Sequence, residues 1–340
     1  VARLTALEMS MTTENSILVT GGAGYIGSHT CKRLAESGYT PITFDNLSYG
    51  HRHAVKWGPL EVGDLTDAGR LDAVMKQYKP QAVIHFAAYS LVGESVRDPG
   101  KYYGNNVGGT LSLLNAMNAN GVDKIVFSST CATYGIPSEV PIRETTPQRP
   151  VNPYGHSKLA VEQMLADFDT AHDLRHVALR YFNACGADRD GEIGEEHEPE
   201  THLIPRILQS MTGHGPGFAI FGEDYPTPDG TCIRDYIHVE DLAQGHLLAL
   251  RYLMDGGQSE QLNLGTGHGY SVRQIVDAVE TVTGQKVDYD IGPRRAGDPP
   301  ELTADTSKAK QVLGFETRVS DIETIVANAW AFHQSVISRN

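Results

Sequence analysis

Tyr154-Gly155-His156-Ser157-Lys158 sets a phenol and an ammonium four residues apart, and on a helix residues i and i+4 share a face. A free tyrosine, with a pKa near ~10, is a feeble base at neutral pH. A lysine held beside it favours the phenolate and brings it into the range of a general base. Pro153, just before the pair, suits the first turn of a helix. The run Lys124–Ser128 continues through Ser129 into Thr130, whose hydroxyl would bond the substrate oxygen that loses its proton. Alone, this spacing is common by chance and reads by default as a surface tyrosine and a solvated lysine. A second motif upstream changes the balance.

Gly21-Gly22-Ala23-Gly24-Tyr25-Ile26-Gly27 follows the β-type run Ser16–Thr20 directly. GxxGxxG between a strand and a helix is a dinucleotide-binding pattern. Gly21 permits a tight turn, Gly24 lets backbone N–H groups approach a pyrophosphate, and Gly27 lets the helix pack on the sheet. The helix N-terminus adds positive partial charge. Asp45 closes the next expected strand, 18 residues after Gly27, where an acid bonds the adenosine ribose hydroxyls and repels a 2′-phosphate. NAD is therefore expected rather than NADP, although Asp45-Asn46 also reads as a bare turn signal. Asp64, after the third expected strand, is placed to meet the adenine amino group. The positive nicotinamide ring would favour the Tyr154 phenolate further.

Elements must bring these groups together. Strands are expected at Ser16–Thr20, Pro41–Phe44, Leu60–Val62, Ala82–Phe86 and Lys124–Ser128, with helices at Tyr25–Ser37, Asp67–Tyr78, Tyr102–Asn118 and Tyr154–Thr170. Apolar strands alternating with helices predict an α/β fold, a Rossmann-type doubly wound parallel sheet covered on both faces. Beyond Asn183 the elements shorten: helices near His202–Met211, Val239–Met254, Val272–Val282 and Ile322–Ser335, and a strand at Phe218–Phe221. They read as a smaller C-terminal α/β substrate domain. The expected organisation is a flexible leader over 1–15 (Met9 and Met11 being alternative starts), a mainly NAD-binding domain over 16–183 and a mainly substrate-binding domain over 184–340. A segment near Gln261–Leu264 returns to the sheet.

A chain of 340 residues accommodates about two domains. With 28 Lys+Arg against 42 Asp+Glu, the net charge of −14 disfavours nucleic acid and membrane surfaces as partners. It leaves room for an anionic substrate held by a few arginines. Cys31, Cys131, Cys185 and Cys232 lie far apart with no CxxC pair, which reads as free thiols in a reducing compartment. No apolar run approaches the ~18 residues of a membrane helix, and the first fifteen residues lack the apolar core of a secretion signal. A cytoplasmic location is expected. Residues 187–201 are acidic and expected to form an exposed loop. His197, Glu198 and His202 lack HExxH spacing, so a solvated loop is expected there and no metal site.

Together, Gly21–Gly27, Ser128–Thr130 and Tyr154–Lys158 resemble the extended short-chain dehydrogenase/reductase family. Phrases such as VIHFAA, GESV, NNVGGTL, YGHSKLAVEQ, LRYFNACGA, RDYIHVEDLA and NLGTG look like its UDP-sugar 4-epimerases, from about Ser16 to Trp330. The resemblance implies interconversion of UDP-glucose and UDP-galactose through a 4-keto sugar, with Tyr154 as base, Lys158 tuning it, Thr130 on the sugar hydroxyl and the hydride stored on NAD. It implies a cofactor site of Gly21, Gly24, Tyr25, Ile26, Gly27, Asp45, Asn46, Leu47, Ser48, Gly50, Asp64, Leu65, Phe86, Ala87, Ala88, Ser90 and Asn105, with Phe182 near the nicotinamide. Thr130, Tyr154 and Lys158 border the same cofactor. Substrate contacts implied are Asn183, His202 and Leu203, with Arg234 and Arg295 on the diphosphate, Asp298 on the uridine ribose and Phe221 against uracil. Guanidinium forks suit a diphosphate. A homodimer pairing the helices near Tyr102–Asn118 and Tyr154–Thr170 is also implied.

The chain departs from its relatives in places. Cys131-Ala132 stand where related 4,6-dehydratases carry an acid and a base, which argues against dehydration. Ser90 replaces a lysine, and His202 an asparagine, found in some relatives. Leu302, four residues after Asp298, is neither a bulky tyrosine nor a small residue, so poor use of N-acetylhexosamines is expected. A UDP-xylose/UDP-arabinose 4-epimerase, or another NAD-dependent nucleotide-sugar epimerase, would carry the same motifs. A non-enzymatic dinucleotide sensor would be marked by loss of Tyr154 or Lys158, and both are present.

Overall fold

The structure is a computed structural model that describes residues 15–295 and 297–338. The leader expected over 1–15 lies outside these residues, apart from Asn15. In chain order the elements are β1 (Ser16–Thr20), α1 (Tyr25–Glu36), β2 (Thr40–Asp45), β3 (Leu60–Val62), α2 (Ala68–Tyr78) and β4 (Ala82–His85). Short helices α3 (Val92–Arg97) and α4 (Pro99–Tyr102) precede α5 (Thr110–Ala119), followed by β5 (Lys124–Thr130), α6 (Pro153–His172), β6 (Arg175–Tyr181) and β7 (Asn183–Cys185). Then come α7 (Leu203–Met211), β8 (Phe218–Phe221), β9 (Ile233–His238), α8 (Val239–Met254), β10 (Glu260–Leu264), β11 (Gly269–Ser271) and α9 (Val272–Thr283). The chain closes with β12 (Tyr289–Gly292), β13 (Glu301–Leu302), α10 (Ser307–Leu313) and α11 (Ile322–Ile337).

Two compact units divide these residues. The first takes residues up to 133, 152–180 and 243–262; the second takes 134–151, 181–242 and 263 onward. In the first, a seven-stranded sheet runs β10-β6-β5-β4-β1-β2-β3. The ladders joining β3, β2, β1, β4 and β5 are parallel, with Ser16 opposite Thr40, Ile17 opposite Ala82 and Val83 opposite Ile125. The chain winds outward from β1 in both directions. The crevice at the carboxyl ends of β1 and β4 is thus a topological switch point, where open α/β sheets bind ligands. Because helices cover the sheet, its central strands are largely apolar, and β1 and β4 are buried at every residue, with the polar Thr20 and His85 at their ends bonded to each other at 2.6 Å. Leu18, Ile42, Val83, Ile125 and Phe127 pack with Leu71, Met75, Leu113, Met117, Val161 and Leu165 of the helices.

Two expectations are corrected here. The single helix expected over Tyr102–Asn118 is interrupted by a π-helical stretch, Tyr103–Gly109. Glycines at 104, 108 and 109 weaken the α-helical preference, and a Cβ at Gly109 would press within 2.9 Å of the Leu65 Cβ. The sequence reading recognises no strand over Arg175–Tyr181. Its apolar centre, Val177-Ala178-Leu179, is masked by flanking Arg175, His176 and Arg180.

In the second unit β9 is central, antiparallel to β11 and parallel to β13 and β7. β8 and β12 form a separate parallel pair. Ile204, Ile207 and Leu208 of α7 pack with Phe218, Ile220, Ile275, Val279 and Ile325 into this unit's own core. Among the described residues no helix is long and apolar enough to cross a membrane.

Candidate active site

In the first unit the loop after β1 is held by backbone. Gly21 donates to the Phe44 carbonyl at 2.8 Å, Gly24 to the Gly21 carbonyl at 3.1 Å and Ser28 to the Gly24 carbonyl at 2.9 Å. Gly21 sits at φ +73°, and a Cβ there would lie 2.6 Å from the Ala87 nitrogen. That combination of positive φ and close approach requires glycine. A Cβ on Gly27 would overlap the Gly21 carbonyl oxygen, so Gly27 packs α1 on the loop itself rather than on the sheet. Gly24 is the α1 N-cap and offers no side-chain cap. The first turn, Tyr25-Ile26-Gly27, therefore presents the positive end of α1 to the loop, the arrangement a phosphate needs. Tyr25 is itself buried, edge-on to His29.

Asp45 ends β2 with its Oδ2 accepting from the Ala23 N–H at 3.0 Å and its Oδ1 from the Leu47 N–H at 2.8 Å. Burial raises its pKa, and those two backbone donors partly restore the charge. Each oxygen keeps a lone pair for a ribose hydroxyl. The amide of Asn46 donates to Asp64 at 2.7 Å, while Ser48 N–H bonds back to Asn46. Asp64 is held ionised chiefly by the Thr66 hydroxyl. Gly50 lies close: a Cβ there would sit 2.8 Å from the Ala23 Cβ. Leu65 is buried in the core. Phe86 and Ala87 follow β4, which ends one residue earlier than expected, and both donate to the Thr20 carbonyl. Ala88 is half-buried and Ser90 is exposed.

Asn105 is half-buried and donates to Asn106 at 2.9 Å. The buried neighbour is the stronger structural group. Asn106 bonds both backbone groups of Tyr89 and donates to the Ser157 hydroxyl at 3.1 Å.

Tyr154 and Lys158 occupy the first turns of α6, as the spacing predicts. Asn152 caps this helix by accepting from Gly155 at 2.9 Å, and Pro153 takes the first position. Tyr154 is half-buried. Lys158 is 3% exposed, with Nζ donating to the Ser128 carbonyl at 2.7 Å and lying 4.8 Å from the centre of the Phe127 ring. Burial pushes its ammonium down to about 7, and the Glu162 charge offsets part of this. Thr130, at the end of β5, accepts from the Ala132 N–H at 3.1 Å.

Sequence reasoning missed the network behind the pair. Ser129 donates to Glu162 at 2.5 Å, and Arg180 grips both Glu162 oxygens. The signal was present: Glu162 follows Lys158 by four residues, one helical turn on.

In the second unit Phe182 is buried, its N–H on the Leu264 carbonyl at 3.3 Å. Asn183 opens β7 opposite Tyr236. Arg234 donates to Asp298 at 2.5 Å and to the Pro299 carbonyl at 2.9 Å. The two residues expected on diphosphate and ribose are thus already paired with each other. Asp235, on the opposite face of β9, accepts from Thr266, Gly267 and Ala304. The Arg295 guanidinium stacks 4.4 Å above the ring of Phe221, which is 40% exposed. Leu203 is the first residue of α7, and Leu302 pairs with Arg234 across β13 and β9.

The exposed acidic loop expected over 187–201 is corrected. Ile193 is 2% exposed, and the Glu195 and Glu200 side chains are only 4% and 3% exposed. His202 Nδ1 bonds Glu195, and His197 lies against both glutamates. Burial disfavours all these charges, but the mutual pairing holds both imidazoles protonated above the ordinary histidine range and Glu195 below the ordinary carboxylate range. Glu198 is not part of this group.

Cys31 and Cys185 are buried, and burial raises both thiols. All four cysteines are free.

Comparison with known proteins adds the following. Residues 17–265 match the NAD dependent epimerase/dehydratase family. A UDP-glucose 4-epimerase of Rhizobium meliloti is 54% identical over 94% of this chain and 97% of its own. The crystal structure of UDP-glucose 4-epimerase from Brucella ovis in complex with NAD superposes with a TM-score of 0.91 at 55% identity, covering 93% of this chain and 98% of that one. The Bifidobacterium longum enzyme, crystallised with NAD+ and UDP, gives 0.89 at 39% identity, covering 94% and 98%.

Proposed function

From the premise that this chain belongs to the NAD dependent epimerase/dehydratase family, we propose that it interconverts UDP-glucose and UDP-galactose at sugar C4. The observation that carries this is the pair on α6. Tyr154 and Lys158 stand on one helix face with the lysine anchored to β5, in a chain alike along nearly its whole length to UDP-glucose 4-epimerases.

When bound, NAD would supply the hydride acceptor for sugar C4 and the hydride donor for the return to its opposite face. Gly21, Gly24 and the first turn of α1 would hold the pyrophosphate, with Tyr25, Ile26 and Gly27 supplying the helix end. Asp45 to Gly50 would wrap the adenosine ribose, Asp64 and Leu65 the adenine, and Phe86 to Ala88, Asn105 and Phe182 the rest. Tyr154, as phenolate, takes the proton of the 4-hydroxyl while Thr130 bonds the same oxygen. Lys158 keeps its own proton in a buried site only with an anion nearby, and the Tyr154 phenolate is such an anion. Each charge supports the other.

Arg234 and Arg295 would clamp the diphosphate, Asp298 and Phe221 the uridine, with Asn183, His202 and Leu203 completing the contacts. With binding energy concentrated on UDP, the 4-keto sugar can turn over and present its other face to the same base. The absence of an acid or base at Cys131-Ala132 supports epimerisation without dehydration. We assign the two units correspondingly, the first to NAD and the second to UDP-sugar, and read the protein as a cytoplasmic homodimer of galactose metabolism. Free buried thiols support the compartment. The exposed Val96, Tyr103 and Leu111 on the helices before β5 support the dimer face.

The test is Tyr154→Phe. Turnover of UDP-galactose should fall by about 10³-fold or more, with NAD still retained. Full activity in this variant would overturn the assignment. Parallel incubation with UDP-arabinose and UDP-N-acetylgalactosamine separates the pentose and N-acetylhexosamine readings.

A further inference from the structure

The loop ahead of α7 contains one pattern twice, Glu195-Glu196-His197 and Glu200-Thr201-His202. Only His202 has a part in the reaction just described. The fold closes the two Glu-x-His pairs on each other, so that one donor atom from each of the four residues lies within 4.8 Å of the other three. Nδ1 of His197 is 3.1 Å from Glu195 Oε1 and 3.6 Å from Glu200 Oε2. Nδ1 of His202 pairs with the same Glu195 oxygen and lies 3.9 Å from Glu200 Oε1.

A zinc ion held tetrahedrally at roughly 2.0–2.2 Å by imidazole nitrogen and carboxylate oxygen puts neighbouring donors about 3.3–3.6 Å apart. The two His197 separations and that of His202 from Glu200 lie around that edge length, while His202 and Glu195 are in direct hydrogen-bond contact and would have to part to admit the ion. Both imidazoles also turn the same nitrogen, Nδ1, toward one common volume. They meet at one oxygen, Glu195 Oε1, so a single ion could draw on both nitrogens and on the carboxylates together.

The surroundings are those of a built site. The Glu195 and Glu200 side chains are 4% and 3% exposed, and two adjacent buried carboxylates need shared positive charge. In the metal-free site the two imidazoliums supply that charge, and a divalent cation would displace their protons and cancel both carboxylates. The framework is fixed on either side. Gly194 packs so closely on the Phe332 ring that a Cβ would overlap it, and the Ile193 carbonyl accepts from Asp188 at 3.1 Å. Glu200 accepts from the N–H groups of Thr201 at 2.6 Å and His202 at 2.8 Å, the kind of outer-shell bond that orients a metal ligand.

We propose that Glu195, His197, Glu200 and His202 form a closed four-donor site for a divalent transition-metal cation of the zinc class. Two nitrogen and two oxygen donors suit zinc over calcium or magnesium, which take oxygen ligands. With four protein donors the coordination is complete, so the ion is structural, tying the loop to the start of α7. The site does not depend on the epimerase reading.

The test uses the full-length protein, free of any affinity tag, stripped with a chelator and titrated with ZnCl2 against a chromophoric chelator. One zinc per chain is expected, with a dissociation constant of about 1 μM or tighter and a melting temperature raised by about 3 °C or more. Millimolar MgCl2 should give no such rise. His197→Ala and Glu200→Gln should each weaken zinc binding by roughly 30-fold. Absence of stoichiometric zinc at ~100 μM, or equal affinity in both variants, would overturn the proposal. Should the variants fail to fold, X-ray absorption of the zinc-loaded wild type decides: two imidazoles in the first coordination shell support the site, and a shell without imidazole refutes it.

Discussion

Two strand-to-helix connections in this molecule solve the same problem by opposite means. Between β1 and α1 the chain passes in four residues, Gly21 to Gly24, and nearly everything that defines the passage is backbone. Between β7 and α7 it takes the long segment from Gly186 to His202, and what defines it is a knot of ionised side chains. The first connection is built to receive charge from outside through N–H dipoles, and its side chains are kept out of the way. The second is built around charge of its own. A backbone-built site depends on the absence of atoms, and a side-chain-built site depends on their presence. They should therefore fail differently when altered.

The sharpest break is expected at Gly27. Its alanine variant drives a Cβ into the Gly21 carbonyl, and the rigid loop cannot yield without moving. NAD affinity should fall by about 10–100-fold, the equivalent of about 1–3 kcal/mol of overpacking. Gly24→Ala is the matched control. Its Cβ would meet only the Gly21 oxygen, at 3.4 Å, so thermal stability should hold while NAD affinity drops. Equal loss of stability in both would show that the loop is not shaped by sterics in this way.

Next comes Lys158, a buried charge of the first unit that makes no salt bridge among the described residues. Lys158 has a folded-state pKa of about 7, below the ~10.4 of an unfolded lysine. Between those values the unfolded chain binds more protons, so stability rises with pH, by at most about 1.4 kcal/mol per unit. The cost is fully present below about pH 7. Lys158→Met should therefore be more stable than the wild type at pH 6, with the gap closing toward pH 10. Denaturant midpoints of cofactor-free protein would measure it. A gap that does not change with pH would show that the lysine is already well compensated.

The smallest effect is expected at Gly194 in the second connection. Its alanine variant overlaps the Phe332 ring, a side chain of the second unit's core rather than the backbone of the glycine loop. Unfolding free energy should fall by about 1–2 kcal/mol, with NAD affinity unchanged. A loss of NAD affinity there would break the contrast between the two loops.

The same contrast explains what could be read in advance. Gly21, Gly27, Asp45, Tyr154 and Lys158 announce themselves because a strand, a helix turn or a fixed spacing dictates the residue type. The parallel sheet was legible for the same reason, through apolar runs such as Ile17-Leu18-Val19 and Ala82-Val83-Ile84. β6 was not legible, since Arg180 within it serves a partner, Glu162, on another element. Glu195 and Glu200 looked like solvated loop acids because nothing local reveals the histidines that the chain brings to face them. Composition placed them outside, and tertiary pairing placed them inside.

One consequence follows from β9. Neighbouring residues of a strand face opposite ways, so Arg234 looks toward Asp298 while Asp235 fastens two distant turns behind it. The aim of the guanidinium is thereby set by a carboxylate that lies on the far side of the strand. With Arg234 on the diphosphate, as proposed, attempts to retune nucleotide preference should vary the arginine's visible neighbours and keep that hidden rivet, since loosening it would swing the guanidinium off target.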